Sequence, residues 1–301
     1  MSNQILLVGT GALATLFACR LSAAGIKAGM LGTWPAGLEA LNRQGARLLS
    51  PDGMEDVFQV QASAEPEDFR NVRLALVLVK AWQTERAAEQ LARCLAADGL
   101  AVTLQNGLGN YEILTRTLGR RRVALGVTTT GATLLGPGLV RPGGEGTISL
   151  EIRPGIDALE SLLRQAGFKI EMVKDTRSLA WGKVVINAAI NPVTALLRAP
   201  NGVLLERPEA RWLMSRLARE AAAVATAEGI RLPYKDPVSA AREVARRTAA
   251  NYSSMLQDVR RGARTEIDAI CGAVVRTAKA HGIDVPANQV CWQLIRALSP
   301  T

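Results

Sequence analysis

The sequence predicts an α/β domain with a mostly parallel sheet over residues 1–174, followed by an all-α C-terminal domain over residues 175–301. Short apolar runs alternate with helix-length segments through the first part, a pattern that implies right-handed crossovers between parallel strands. After about residue 174 the strand-like runs stop, and long Ala-, Arg- and Leu-rich stretches separated by prolines take over. A chain of 301 residues also has the length of two domains of roughly 150 residues each.

The first strand is Gln4–Val8, an uninterrupted apolar run suited to burial on both faces. Gly9-Thr10-Gly11 breaks it, Ala12–Ala24 reads as a helix, and Gly25 is placed to end that helix. Lys27–Leu31 is a weaker strand, and Pro35–Gln44 a helix stopped by Gly45. Leu74–Val79 is a buried strand, followed by a helix over Thr84–Ala97 and a turn at Asp98-Gly99. Leu100–Leu104 is the next strand, ending in Gln105-Asn106-Gly107. Tyr111–Leu118 reads as a short helix and Val123–Thr128 as a strand. The Gly-rich stretch Thr133–Glu151, with Pro137 and Pro142, predicts turns and short antiparallel strands at the far edge of the sheet. Ile156–Ala166 is helical and Lys169–Val173 closes the domain as a strand. In the second domain the expected helices are 176–190, 208–228, 237–259, 265–281 and 287–298, punctuated by Pro192, Pro200, Pro208, Pro233 and Pro286.

Composition narrows the class. Hydrophobic residues at 48% and charged residues at 21% exclude wholesale disorder, and only 4% aromatics means a core of Ala, Val, Leu and Ile. The formal charge of +9 is uneven: 18 basic against 16 acidic residues before residue 175, and 18 against 11 after it. Such an excess is either a solvated basic surface or a means of concentrating an anionic ligand. No basic run with interleaved aromatics points to nucleic acid. Cys19, Cys94, Cys271 and Cys291 are too scattered for a metal knuckle and read as buried thiols in a reducing compartment. The single histidine, His281, excludes His-rich metal sites and sits where a helix end would cap. Ile5–Cys19 is uncharged but only 15 residues long, too short to span a bilayer. A soluble cytoplasmic protein without membrane or metal partners is expected. The Ala-rich helices would serve a homodimer or internal packing equally well.

Gly9-Thr10-Gly11-Ala12-Leu13-Ala14 lies between the first strand and the first helix. Gly9 permits the tight turn, Gly11 lets backbone approach a diphosphate, and Ala14 allows close helix–strand packing, as in a Rossmann-type domain. The helix N-terminus offers free N–H groups and a positive dipole end. After the second strand stands Leu31-Gly32-Thr33-Trp34, with no carboxylate for the ribose 2′-hydroxyl of NAD before Glu39. Thr33 can donate to a 2′-phosphate, Trp34 can cover an adenine, and Arg43 or Lys27 can supply charge, so NADP is the expected form. Lys80 and Asn106 follow predicted parallel strands, where ligands bind in open α/β sheets. Each is equally a loop or capping residue.

Lys183, Asn187 and Asn191 are spaced four apart, and the residues between them are apolar. On a helix they form one polar stripe in a buried surface. A lysine held there pays a desolvation cost that lowers its pKa and suits it to proton donation; the alternative is a structural asparagine network. Asn251, Ser254 and Asp258 share a second predicted face. Gly262 interrupts that helix, and Thr265 with Asp268 reads as the cap of a restarted one. Glu266 in its first turn either compensates the helix dipole or pairs with Lys183.

Taken together the chain resembles the ketopantoate reductase family (2-dehydropantoate 2-reductases). The resemblance covers nearly the whole chain: GTGALA at 9–14, VKAW at 79–82, QNGLGN at 105–110, TTTGA at 128–132, Gly182–Leu196, Pro200-Asn201-Gly202 and NYSSMLQDVRRGARTEID at 251–268. It implies a Rossmann domain followed by a helical one, with the active site between them, and NADPH-dependent reduction of 2-dehydropantoate to pantoate in pantothenate biosynthesis. It implies Lys183 as general acid, with Glu266 orienting it. Asn106, Lys183, Asn187, Asn191, Asn201, Asn251 and Ser254 would bind the 2-oxo acid substrate. Gly9 to Ala14, Lys80, Asn106, Ala132 and Glu266 would contact the cofactor, besides Thr33 as read above from its own position. Two positions depart from the family pattern: Thr33-Trp34 stands where many members carry a basic residue, and Arg141 where many carry a histidine. The rival expectations are a reductase of another branched 2-oxo acid and a non-catalytic dinucleotide sensor.

Overall fold

The computed structural model describes residues 5–298, and these divide into two compact units. One comprises residues up to Gln105 together with Asn110–Thr176; the other comprises Asn106–Gly109 and Arg177 onward. The strand expected at Gln4–Val8 therefore begins, among the described residues, at Ile5.

The first unit runs β1 (Ile5–Val8), α1 (Ala12–Ala23), β2 (Ala28–Leu31), α2 (Pro35–Gln44), β3 (Ala46–Leu49), β4 (Glu55–Phe58), β5 (Gln61–Ser63) and β6 (Val72–Val77). It continues with α3 (Thr84–Cys94), β7 (Leu95–Thr103), α4 (Asn110–Leu118), β8 (Val123–Thr128), β9 (Ala132–Gly136), β10 (Leu139–Pro142), β11 (Thr147–Glu151), α5 (Asp157–Gln165) and β12 (Lys169–Val173). Eight strands form the main sheet in the order β12-β11-β8-β7-β6-β1-β2-β5, parallel except where β11 meets β8. The chain leaves β1 for β2 on one side and returns to β6 on the other. The carboxyl ends of β1 and β6 therefore flank the switch point at which open α/β sheets bind ligands. Alternation along β1 serves both faces: Ile5 and Leu7 enter the core with α1 and α5, and Leu6 and Val8 the core with α3 and α4.

Two expectations for this unit are corrected. The strands within 133–151 do not all extend the sheet's edge. β9 and β10 join β3 and β4 in a separate four-stranded sheet, β4-β3-β10-β9, that packs on α1, and only β11 adds to the main sheet. Asp98-Gly99 does not separate a helix from a strand. It lies inside an irregular β7 that starts at Leu95 and shifts register against β6.

The helical unit contains α6 (Thr176–Leu197), α7 (Val203–Glu206), α8 (Pro208–Ala227), α9 (Pro237–Arg247), α10 (Ser254–Arg260), α11 (Cys271–Ala280) and α12 (Pro286–Leu298). α6 does not stop before Pro192 as expected; it runs through it. A proline inside a helix costs about 3 kcal/mol. Here Ile190, Val193 and Ala195 are all buried in one core, and their packing outweighs that cost. By length and composition α6 is also apolar enough to cross a membrane, but 67% of its most apolar window is buried within the protein. The helix expected over 237–259 is broken: residues 248–253 are non-helical, and Ser253 caps a new helix by accepting the Leu256 N–H. The helix expected over 265–281 starts only at Cys271, because the Ala269 carbonyl is diverted to the Leu108 N–H at 2.9 Å and is lost to a helical ladder. Residues 265–266 are irregular and 267–270 form a turn, so no helix restarts at Thr265. All four cysteines are buried free thiols. His281 ends α11 and contacts the Glu228 carboxylate at 2.7 Å.

Candidate active site

In the first unit the glycine turn follows β1. Gly9 has φ +136°, and a Cβ there would lie 3.3 Å from the Leu78 carbonyl and the Val79 nitrogen, so only glycine lets the turn seat against the chain leaving β6. A Cβ on Gly11 would meet nothing within 4 Å, leaving the approach to the turn open. Gly11 is the N-cap of α1 and makes no side-chain cap hydrogen bond, and the first turn holds no acidic residue. Backbone N–H groups, a positive helix end and an open approach fit a dinucleotide diphosphate. Ala14 is fully buried beneath, while Ala12 and Leu13 are half-buried.

The neighbouring loop is held by a polar network. Gln105 Nε2 donates to the Val79 carbonyl and to Thr84 Oγ1, both at 2.9 Å, and the Thr103 hydroxyl donates to Gln105 Oε1 at 2.9 Å. The Thr84 hydroxyl lies 2.9 Å from Asn110 Oδ1. These bonds fix the ends of β6 and β7 and thereby place the half-buried Lys80, whose backbone N–H reaches Gln83 Oε1. Sequence reasoning missed Gln83, Thr84 and Asn110. The available signal was a threonine opening a helix a few residues after an apolar strand.

At the end of β2, a Cβ on Gly32 would sit 2.6 Å from Thr10 Cγ2, so Thr10 fills the space a larger residue would need. The Trp34 ring folds back over Gly37, half-buried Thr33 precedes it, and no cation occupies 32–34. Ala132 begins β9, in the sheet packed on α1.

In the helical unit, α6 carries Lys183, Asn187 and Asn191 on one face, with Trp181, Val184, Val185, Ala188 and Ala189 buried around them. Gly182 lets Pro233 and Tyr234 pack against α6 one residue before the lysine. A Cβ there would strike the Pro233 ring at 2.7 Å, and the Tyr234 hydroxyl donates to the Gly182 carbonyl at 2.9 Å. Burial lowers the Lys183 ammonium to about 8, and the Glu266 carboxylate acts in the opposite sense. Glu266 is buried and accepts from Asn106 Nδ2 at 3.3 Å. Asn106 is thus held by the helical unit: Gly107, at φ +87°, presses on Ala269, and the Leu108 N–H bonds the Ala269 carbonyl. Asn201 is buried; its backbone N–H donates to the Asn251 carbonyl at 3.0 Å and its Nδ2 to Thr248 Oγ1 at 2.9 Å. Asn251, Ser254 and Asp258 do not share a helical face as expected. Asn251 lies in the break and is exposed, Ser254 opens α10 and is exposed, and Asp258 is buried with Arg261 at 2.8 Å.

A dinucleotide-type glycine turn in one unit and a half-buried lysine beside a buried carboxylate in the other suit an oxidoreductase. Two family models match, "Ketopantoate reductase PanE/ApbA" over residues 5–155 and its C-terminal counterpart over 175–299. A 2-dehydropantoate 2-reductase of Archaeoglobus fulgidus is 36% identical, covering 98% of each chain, and one of Halobacterium salinarum is 33% identical, covering 97% of this chain and 98% of that one. A PanE/ApbA family ketopantoate reductase structure from Ralstonia eutropha JMP134 superposes with a TM-score of 0.90 at 32% identity, covering 98% of both chains. The fold is also that of a D-mandelate dehydrogenase solved with NADH and anilino(oxo)acetate, with a TM-score of 0.91 at 24% identity over 98% of this chain and 97% of that one. The chain belongs to the ketopantoate reductase family.

Proposed function

We propose that this chain reduces 2-dehydropantoate to pantoate with NADPH, the activity named for its relatives. The observation that carries this reading is Lys183: an ammonium on a half-buried polar stripe of α6, lowered to about 8, with Glu266 beside it and two asparagines in line. NADPH, when bound, supplies the hydride that reduces the C2 ketone. Gly9 to Ala14 and the α1 N-terminus hold its diphosphate, with Lys80 and Ala132 contributing to the same site and Thr33 facing the 2′-phosphate.

As the ketone is reduced, negative charge grows on its oxygen. The Lys183 ammonium donates a hydrogen bond to that oxygen and then gives up its proton, a transfer favoured by its lowered pKa. Glu266 orients the ammonium, and Asn106 braces Glu266 from the other side. Asn187, Asn191, Asn201, Asn251 and Ser254 bind the hydroxyl and carboxylate groups of the substrate and fix which face of C2 is presented, a positioning effect of up to roughly 7–11 kcal/mol.

The test is loss of reduced-nicotinamide absorbance with 2-dehydropantoate, run with NADPH and NADH and against a panel of other branched 2-oxo acids. Turnover is expected with 2-dehydropantoate and NADPH. Preference for another 2-oxo acid, or cofactor binding without any turnover, overturns the reading. Lys183→Ala is expected to keep NADPH affinity by fluorescence titration and to lose about 10²–10⁴-fold in kcat.

A further inference from the structure

The segment 248–253, which carries Asn251 and leads into Ser254, has no regular structure of its own. Distant residues pin it: the Asn201 N–H holds the Asn251 carbonyl, the Gly202 N–H holds the Ala249 carbonyl at 2.9 Å, and Asn201 Nδ2 holds Thr248 Oγ1. One further bond ties it to α6. The hydroxyls of Thr194 and Ser253 share a hydrogen bond, Oγ1 to Oγ 2.8 Å, with Thr194 fully buried and Ser253 nearly so. Thr194 follows Lys183, Asn187 and Asn191 at intervals of four, four and three residues, so it continues their face of the helix. Its oxygen lies 3.0 Å from the Ile190 carbonyl and 3.1 Å from that of Asn191, which fixes the hydroxyl's direction. Ser253 Oγ in turn accepts the Leu256 N–H and starts α10, whose first residue is Ser254. Ser253 points inward between the exposed Asn251 and Ser254.

We propose that the Thr194–Ser253 hydroxyl pair positions the substrate-binding segment 251–254 against the face of α6 that carries Lys183. Thr194 is a positioning residue: it touches neither substrate nor cofactor, and it governs how well the 2-oxo acid is held. The proposal rests on the reductase reading for what the segment binds, but the pairing itself is independent of it. Thr194→Val keeps the buried volume while leaving the Ser253 hydroxyl without its partner. It is expected to raise KM for 2-dehydropantoate about tenfold, with kcat within about twofold and NADPH affinity unchanged. Thr194→Ser, which keeps the hydroxyl, is expected to restore KM.

Hydrogen exchange of the 251–256 amides, measured without any substrate, is expected to quicken in Thr194→Val and not in Thr194→Ser. If Thr194→Val fails to fold, Thr194→Ala carries the same KM and exchange expectations and leaves the Ser253 cap on Leu256 in place. A lowered Tm with unchanged KM and unchanged local exchange means the pair only stabilises the fold, and overturns the proposal. Wild-type protein inactive on 2-dehydropantoate would instead overturn the reductase reading, and the exchange experiment would still decide whether the latch exists.

Discussion

Lys183 serves two opposed ends. Its burial lowers the ammonium from the ordinary 10.5 to about 8, which favours proton transfer but weakens the folded state at neutral pH. The folded protein binds this proton less tightly than the unfolded chain does. Its contribution to stability is therefore best above 10.5, falls as pH drops from 10.5 to about 8, and levels off below that. Lys183→Met should accordingly be inactive yet more stable at pH 7, by up to about 3 kcal/mol. That gain should shrink as pH rises from 8 towards 10.5, as paired denaturant melts across that range would show. With Lys183 as the proposed proton donor, the ammonium is the competent form, and kcat/KM is expected to decline as pH rises through about 8. At Thr33 the missing cation is the point of interest. Thr33→Arg should shift the NADPH-to-NADH ratio of kcat/KM upward by about tenfold or more through a charge-assisted bond to the 2′-phosphate; an unchanged ratio would place the 2′-phosphate elsewhere.

At the scale of elements, helix ends carry much of the specificity. The buried Glu220 on α8 accepts the Ala287 and Asn288 backbone N–H groups and Asn288 Nδ2, capping α12 from a neighbouring helix. Glu220→Ala removes the acceptor of both backbone N–H groups and one of the two acceptors of Asn288 Nδ2, which keeps the Leu217 carbonyl, and should cost about 2–4 kcal/mol, read as a drop in denaturation midpoint. Local signals of this type explain which parts of the chain were legible. The Lys183–Asn187–Asn191 stripe could be read because a single helix places all three, and the glycine turn because strand, turn and helix are contiguous. The pairing of Asn106 with Glu266 spans 160 residues and has no local trace. The helix break at 248–253 was hidden because Thr248-Ala249-Ala250 suits a helix, and only bonds from Asn201, Gly202 and Thr194 interrupt it. The second sheet was missed for a similar reason. β4 reads Glu-Asp-Val-Phe, largely exposed, and β3 finds its parallel partner β10 some ninety residues away.

On the scale of the whole molecule, charge and connectivity matter most. The excess of 18 basic over 11 acidic residues after residue 174 creates a field that attracts anions, and both the proposed substrate and the proposed cofactor are anionic. Raising ionic strength should lower kcat/KM and leave kcat nearly unchanged, which a salt series at fixed pH would reveal.

Connectivity has a different consequence. Four residues, Asn106–Gly109, belong to the helical body although the chain on either side of them belongs to the other. A fragment cut to begin at Arg177 would lack them, leaving Glu266 without its amide neighbour and Ala269 without its backbone partner. Dividing this protein at a single point in the sequence cannot yield two whole halves. Grafting residues 106–109 back onto a fragment that begins at Arg177, rather than truncation alone, is the route to an isolated helical unit.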